Sequence, residues 1–149
     1  MGRLAYLLTG DRDTADDIVQ DAFLRLARSF AHLRNVEAFE SYFRRTVVNL
    51  AHNHNRRGRL ERSYLRHAGV LTRPGRAEPS LDHVADRVRL QDALLRLPPR
   101  SRAAIVLRYY EDLSELQVAE LMRCRPGTVK SLVSHGMAQL REEIGDVWV

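Results

Sequence analysis

Three groups of polar and charged residues are spaced so that each shares one helical face. Thr128, Lys130, Ser131, Ser134 and His135 follow a break at Arg123-Cys124-Arg125-Pro126-Gly127. They lie opposite an apolar stripe of Val129, Leu132 or Val133, Met137, Leu140 and Ile144. Short hydroxyls, one cation and one imidazole on a helix suit the base edges and phosphates of a DNA major groove. Arg44, Arg45, Asn49, His52, Asn53, Arg56 and Arg57 form the second group. Arginines that track a backbone, with amides and an imidazole between them, suit single-stranded or opened DNA. The third group is Asp17, Gln20, Asp21, Leu24 and Arg28, charge around an apolar anchor, which is the chemistry of a protein-docking face. Each group taken alone also fits a plain solvated helix face.

The elements that hold these groups read as helices nearly throughout. Tyr6, Leu7 and Leu8 end a first helix, broken at Gly10. Thr14 with Asp17 is expected to cap the second, and Asp13, Asp16 and Asp17 suit the positive end of its dipole. Ile18, Val19, Ala22, Phe23, Leu26, Ala27 and Phe30 are spaced as its buried stripe. Phe39, Tyr42, Phe43, Val47, Leu50 and Ala51 bury a third helix, expected to run to about Arg57. The pattern dissolves near Arg66, and Thr72-Arg73-Pro74-Gly75-Arg76 with Pro79 marks a linker. Periodicity resumes at Val84, Val88, Leu94 and Leu97, stops at Pro98-Pro99 and returns with Ala103, Ile105, Val106 and Tyr110. Ser114 and Gln117 then offer a capping box for a helix that buries Val118, Ala119, Leu121 and Met122. Pro126 is tolerated in the first turn of the last helix. The expected fold is all-α, with two small helical domains, residues 1–66 and 84–149, joined by a flexible linker at 67–83.

Charge is divided in the same way. The net charge is +5 over 149 residues. From Asp11 to Asp21 five aspartates and one arginine give −4; from Ser41 to Arg66 seven arginines and one glutamate give +6; from Arg123 to Arg141 four basic residues and no acid give +4. One acidic and two basic patches point to separate surfaces for a protein and for nucleic acid. Lys130 is the only lysine, a bias that a GC-rich genome explains without function. With one cysteine, Cys124, no intrachain disulfide forms and nothing points to an oxidising compartment. No apolar run approaches the ~20 residues of a membrane span and no signal peptide is visible. A cytoplasmic location without membrane insertion is expected.

Enzyme readings fail on their own terms. His52-Asn53-His54-Asn55 superficially resembles an HNH nuclease, but it sits in a helical run rather than a strand-rich site. His52 and His54 diverge on a helix, which argues against a metal. No glycine-rich phosphate loop, nucleophile elbow or carboxylate pair is present. A basic membrane-surface helix would want Trp, Phe or Leu at its polar boundary. No cofactor, metal or small-molecule substrate is expected.

Thr9-Gly10-Asp11 followed by Asp17-Ile18-Val19-Gln20-Asp21-Ala22-Phe23-Leu24-Arg25 resembles region 2 of the sigma-70 superfamily, extracytoplasmic function (ECF) group. Phe39 to Asn53 resembles the promoter-melting helix that follows it. Leu94-Leu95-Arg96-Leu97-Pro98, Arg108-Tyr109-Tyr110-Glu111-Asp112-Leu113, Val118-Ala119-Glu120-Leu121-Met122 and Gly127-Thr128-Val129-Lys130-Ser131 resemble region 4. Both blocks stand in the family's order and cover nearly the whole chain apart from the linker.

The resemblance implies an alternative sigma factor that binds core RNA polymerase and directs promoter recognition, melting and initiation. Asp17, Gln20, Asp21 and Leu24 would dock on polymerase. Asn49, His52 and Asn53 would capture a flipped −10 base, and Arg44, Arg45, Arg56 and Arg57 would hold strand phosphates. Thr128, Lys130, Ser131, Ser134 and His135 would face the −35 element. An anti-sigma factor is a further implied partner. Unstacking costs on the order of 1.4 kcal/mol per base-pair step and base extrusion a few kcal/mol more, so a domain this small needs polymerase to open DNA. Two rivals remain at this point, a free-standing helix-turn-helix regulator and a sigma mimic that binds an anti-sigma protein. Gly136 in mid-helix costs roughly 1 kcal/mol relative to alanine. With Leu132 and Met137, where relatives often carry arginine or alanine, it leads to an expectation of weaker or altered −35 binding.

Overall fold

The computed structural model describes residues 1–32, 35–67 and 82–145. Every regular element among these residues is helical. Helix α1 (Gly2–Thr9) ends at Gly10, whose φ of 78° is left-handed and whose N–H reaches the Tyr6 carbonyl. That conformation is the reason a glycine stands there. Helix α2 (Arg12–Ser29) starts from Asp11, not from Thr14 as the sequence suggested: the Asp11 carboxylate accepts from the Thr14 N–H at 2.9 Å and from its hydroxyl at 2.6 Å. These two bonds, the hydroxyl's first, hold the Asp11 carboxyl below its ordinary value. A 3₁₀ turn (Phe30–His32) follows.

Helix α3 (Val36–His67) is capped by the Asn35 side chain, which accepts from the Ala38 N–H at 2.7 Å. It runs about ten residues beyond the expected end near Arg57, for a length of roughly 48 Å at 1.5 Å per residue. The apolar stripe stops earlier because the core stops earlier. Arg59, Leu60 and Glu61 are exposed and keep helical propensity without burial, and no proline intervenes.

Helix α4 (Asp82–Arg96) leads through Pro98 into α5 (Pro99–Ile105), which widens into a π-helical turn at Val106–Tyr110. Helix α6 (Glu115–Met122) carries the expected capping box: Ser114 Oγ accepts from the Gln117 N–H at 3.2 Å, and Gln117 Oε1 from the Ser114 N–H at 2.8 Å. A left-handed Arg123 (φ 52°) ends α6, and Pro126 opens α7 (Pro126–Ile144). The expected linker at 67–83 lies, apart from its ends, outside the described residues.

The two helical units are packed on one another. Helices α1–α3 bury Leu4, Ala5, Leu8, Ala15, Ile18, Ala22, Val47, Val48 and Ala51, and this cluster continues without a gap into Val106, Leu107, Leu113, Val118, Leu121 and Val129. Helix α1 also packs on α4 and α5, and α3 on α5 and α6. A Cβ on Gly10 would lie 2.4 Å from Leu95 Cδ2, so the α1–α2 corner sits directly against α4. A second cluster of Ala93, Leu94, Leu97, Ile105 and Leu140 closes the C-terminal unit.

Two sequence expectations change here. Phe23, Ala27 and Phe30 are exposed; the buried face of α2 is Ala15, Ile18, Ala22 and Leu26. Helical spacing admits both stripes, and the alanine-rich one lets α1 and α3 approach closely. Gly136 is buried, not an idle break in α7: a Cβ there would fall 2.6 Å from Ile105 Cδ1 and 3.3 Å from Ser101 Cβ. Its helix cost is the condition for close α5–α7 packing.

Candidate nucleic-acid interface

The face of α2 away from the core carries Asp17, Gln20 and Leu24 exposed and Asp21 half-buried. Asp21 accepts from Arg25 Nε and Nη2, both at 3.1 Å, one turn along. Exposed, such a pair adds little to stability, so these charges are free to meet a partner. Leu24 and Phe23 are each 57% exposed and Phe30 65%. The apolar part of this surface is therefore larger than helical spacing predicts, because Phe23 and Phe30, spaced as core residues, face outward.

On α3, Val47, Val48 and Ala51 are pulled into the core and leave the polar residues between them on the other side. Asn49 is half-buried; His52, Asn53, Arg56 and Arg57 are exposed. Asn55, inside the same run, donates to the Leu8 carbonyl at 3.1 Å and ties α3 to the end of α1. Asn49, His52 and Asn53 line a cavity of about 530 Å³ together with Pro99, Arg100 and Met122 of the C-terminal unit. A polar recess of that volume can hold a planar base.

Arg44 and Arg45 are engaged across the same boundary. Arg44 Nε donates to Glu111 Oε2 at 2.8 Å while its Nη2 donates to Glu40 Oε1 at 2.8 Å. Arg45 Nη2 donates to Glu120 Oε1 at 2.7 Å. Nothing in sequence spacing marks Glu111 and Glu120 as partners of residues 67 and 75 positions away. The π-helical turn matters here, since its wide loop brings the Glu111 N–H to the Val106 carbonyl and sets Glu111 at the corner facing α3.

On α7, Val129, Gly136 and Leu140 are buried while Thr128, Lys130, Ser131, Ser134 and His135 are all exposed. The Ser131 hydroxyl donates to the Gly127 carbonyl at 3.1 Å, and His135 Nδ1 lies 2.8 Å from the Ser131 carbonyl. A carbonyl only accepts, so Nδ1 is the donor in this contact and Nε2 is left for another partner. That atom can meet a base edge in a major groove.

Family models for "Sigma-70 region 2" and "Sigma-70, region 4" match residues 2–61 and 87–140. The RNA polymerase sigma-E factor of Streptomyces antibioticus is 31% identical over 140 residues, covering 92% of this chain and 74% of that one. The chain belongs to the sigma-70 family, in its ECF group. The ECF RNA polymerase sigma factor SigW of Bacillus subtilis is 28% identical, across 97% of this chain and 83% of its own length. Among solved structures, the sigma factor RpoE of Bartonella quintana, described in complex with the anti-sigma factor NepR, superposes with a TM-score of 0.76 at 22% identity, covering 98% of this chain and 90% of that one. That likeness concerns the fold.

In sigma terms, α1–α3 form region 2 and the helices from α4 to α7 form region 4. The protein is thus an ECF-type sigma factor, which binds core RNA polymerase and directs promoter recognition, DNA melting and initiation. Its family consists of transcription factors. No described helix is long and apolar enough to cross a membrane.

Proposed function

We propose that the three faces divide the work of initiation between them. Asp17, Gln20, Asp21 and Leu24 dock core polymerase, with Phe23 and Phe30 extending the contact. Asn49, His52 and Asn53 hold a base extruded from the −10 element, and Arg44, Arg45, Arg56 and Arg57 hold the phosphates of the opened strand. Lys130 supplies a cation to the −35 duplex, where Thr128, Ser131, Ser134 and His135 read base edges directly or through water. Residues 1–66 and 84–149 act as the two functional units. The chain works in the cytoplasm as a specificity subunit with no catalytic step of its own, and an anti-sigma protein is its natural antagonist.

The observation that carries this reading is the polar recess at Asn49, His52 and Asn53 beside a row of arginines. An ordinary duplex-binding regulator has no use for it. Run-off transcription with core polymerase over a promoter library tests the reading. The wild-type chain is expected to select a discrete set of templates, and Asp17→Arg with Asp21→Arg to lose core binding while keeping its helicity. Reversed charges that face a like-charged partner surface cost several kcal/mol. Unchanged core affinity would move the docking face elsewhere, and no transcript from any template would leave the two rivals, an anti-sigma-binding mimic and a duplex-binding regulator.

A further inference from the structure

The recess at Asn49, His52 and Asn53 contains more than the capture of a base requires. Three arginines from three elements also line it, Arg25 of α2, Arg100 of α5 and Arg123 at the end of α6, and no carboxylate does. Arg25 is shared with Asp21. Arg100 and Arg123 are exposed, and neither forms an ion pair with a described carboxylate. Arg123 stands at a left-handed backbone position (φ 52°), where glycine or asparagine is the usual residue. Val48, Ala51, Leu121 and Met122 add apolar surface to the same walls. A smaller recess of about 330 Å³ between α4 and α7 makes the contrast: there Asp86, Asp92 and Glu143 offset Arg89 and Arg96. The excess of cations therefore belongs to the first recess and is not a general consequence of an arginine-rich chain.

Apolar walls suit the face of a planar ring, amides and an imidazole suit its edge, and guanidinium groups suit phosphate. A guanidinium takes two phosphate oxygens through parallel hydrogen bonds. A side-chain amide sets a donor beside an acceptor, the complement of the N6 and N7 edge of adenine. A volume of about 530 Å³ falls in the usual range of small-molecule sites, roughly 300–1,000 Å³. We infer that the recess of the free chain is a binding site for an adenine nucleotide with two or more phosphates. Its base lies against Asn49, His52 and Asn53, and its phosphates lie on Arg25, Arg100 and Arg123. Both units contribute side chains, so the site exists where they are packed together. The site shares its amides and imidazole with the −10 reading but does not depend on that reading, because the arginines it uses are different ones.

The test is calorimetric titration of the full chain, free of polymerase and DNA, in magnesium-free buffer. The probes are adenosine, AMP, ADP and ATP, with GTP and tripolyphosphate beside them. ATP is expected to bind once per chain, with affinity rising from adenosine through AMP to ADP and ATP. GTP is expected to bind about tenfold more weakly than ATP, since it lacks the adenine edge. Arg100→Gln with Arg123→Gln removes two charge-assisted contacts and is expected to weaken ATP about a hundredfold. Asn49→Ala with Asn53→Ala is expected to abolish the preference for ATP over GTP and to leave tripolyphosphate unaffected. Arg87→Gln with Arg89→Gln makes the same change in net charge at two exposed positions outside the recess, and is expected to change nothing. Thermal melting of each variant without nucleotide checks that it is folded.

Three results would overturn the inference. Tripolyphosphate binding the wild type as tightly as ATP would mean an anionic patch with no base subsite. An equal loss from Arg87→Gln with Arg89→Gln would mean that net charge alone is responsible. No saturation at about 1 mM ATP, a concentration that detects even weak binding, would remove the site altogether. The −10 reading survives each of these results, because run-off transcription tests it separately. Saturable ATP binding by a chain that selects no template would remove the −10 reading and leave the nucleotide site standing.

Discussion

Helices α3 and α7 carry the same kind of face, with cations, a histidine and short polar side chains set opposite an apolar stripe. In α7 that face looks into solvent from Thr128 to His135, because the apolar side is satisfied within the C-terminal unit by α5 and α6. In α3 the apolar side is satisfied by α1 and α2, yet part of the polar face is covered as well, since α5 and α6 lie across it and bring Glu111 and Glu120 to Arg44 and Arg45. The same kind of face is left open where its own unit buries the apolar side, and is covered where a second unit packs across it.

The largest effect expected concerns the core that creates this difference. Leu107 is fully buried in the cluster shared by both units. Leu107→Ala is expected to cost about 2–5 kcal/mol and to lower one cooperative thermal transition followed by circular dichroism. Two separate transitions, only one of them shifted, would show the units to be independent and would break the comparison.

Next comes the packing that holds the open face of α7. Gly136→Leu would force a side chain into Ile105 and Ser101 and is expected to destabilise by about 1–3 kcal/mol. Adding Ile105→Ala should restore part of the loss, because the conflict is with that side chain. A substitution tolerated without rescue would mean that α7 is free to ride away from α5.

Within the α7 face the contacts themselves can be separated. Lys130→Ala is expected to lower the salt slope of holoenzyme on −35 duplexes by about 0.9 and to weaken all sequences alike. His135→Ala is expected to reorder the preferred −35 sequences, with about 1–3 kcal/mol of discrimination at stake. If Lys130→Ala does the reordering instead, the two roles are exchanged.

The smallest effect belongs to region 2. The Asp11 carboxyl is held below its ordinary value of 3.8 by the Thr14 hydroxyl and amide. A depressed folded value means that the cap's stabilisation is fully present above the unfolded value and disappears as pH falls through the folded one. The melting difference between wild type and Asp11→Ala should therefore be constant at neutral pH and shrink below about pH 4. A constant difference down to pH 2 would show that the carboxylate contributes nothing as a charged cap.

Much of the molecule was legible in local pattern. The capping box at Ser114 and Gln117, the break at Arg123 to Pro126, the glycine stop at Gly10 and the polar face of α7 depend on residues within a few positions of one another. Backbone geometry and helix periodicity therefore specify them before any packing occurs. Region 2 and region 4 were legible too, because their motifs are contiguous.

What remained hidden depends on which surface meets which. Two apolar stripes on α2 were equally periodic, and only packing against α1 and α3 decided that Ala15, Ile18, Ala22 and Leu26 go inside while Phe23 and Phe30 stay out. Gly136 is unfavourable within its own helix, and its reason lies in α5, whose Ile105 fills the space beside it. The pairing of Arg44 with Glu111 and Arg45 with Glu120 spans 67 and 75 residues. Charge patterning gives the sign of such groups but not their separation. Residue type and helix periodicity place the polar and apolar faces; the packed core, whose shape sets the contacts between distant segments, fixes which of those side chains are already paired within the chain.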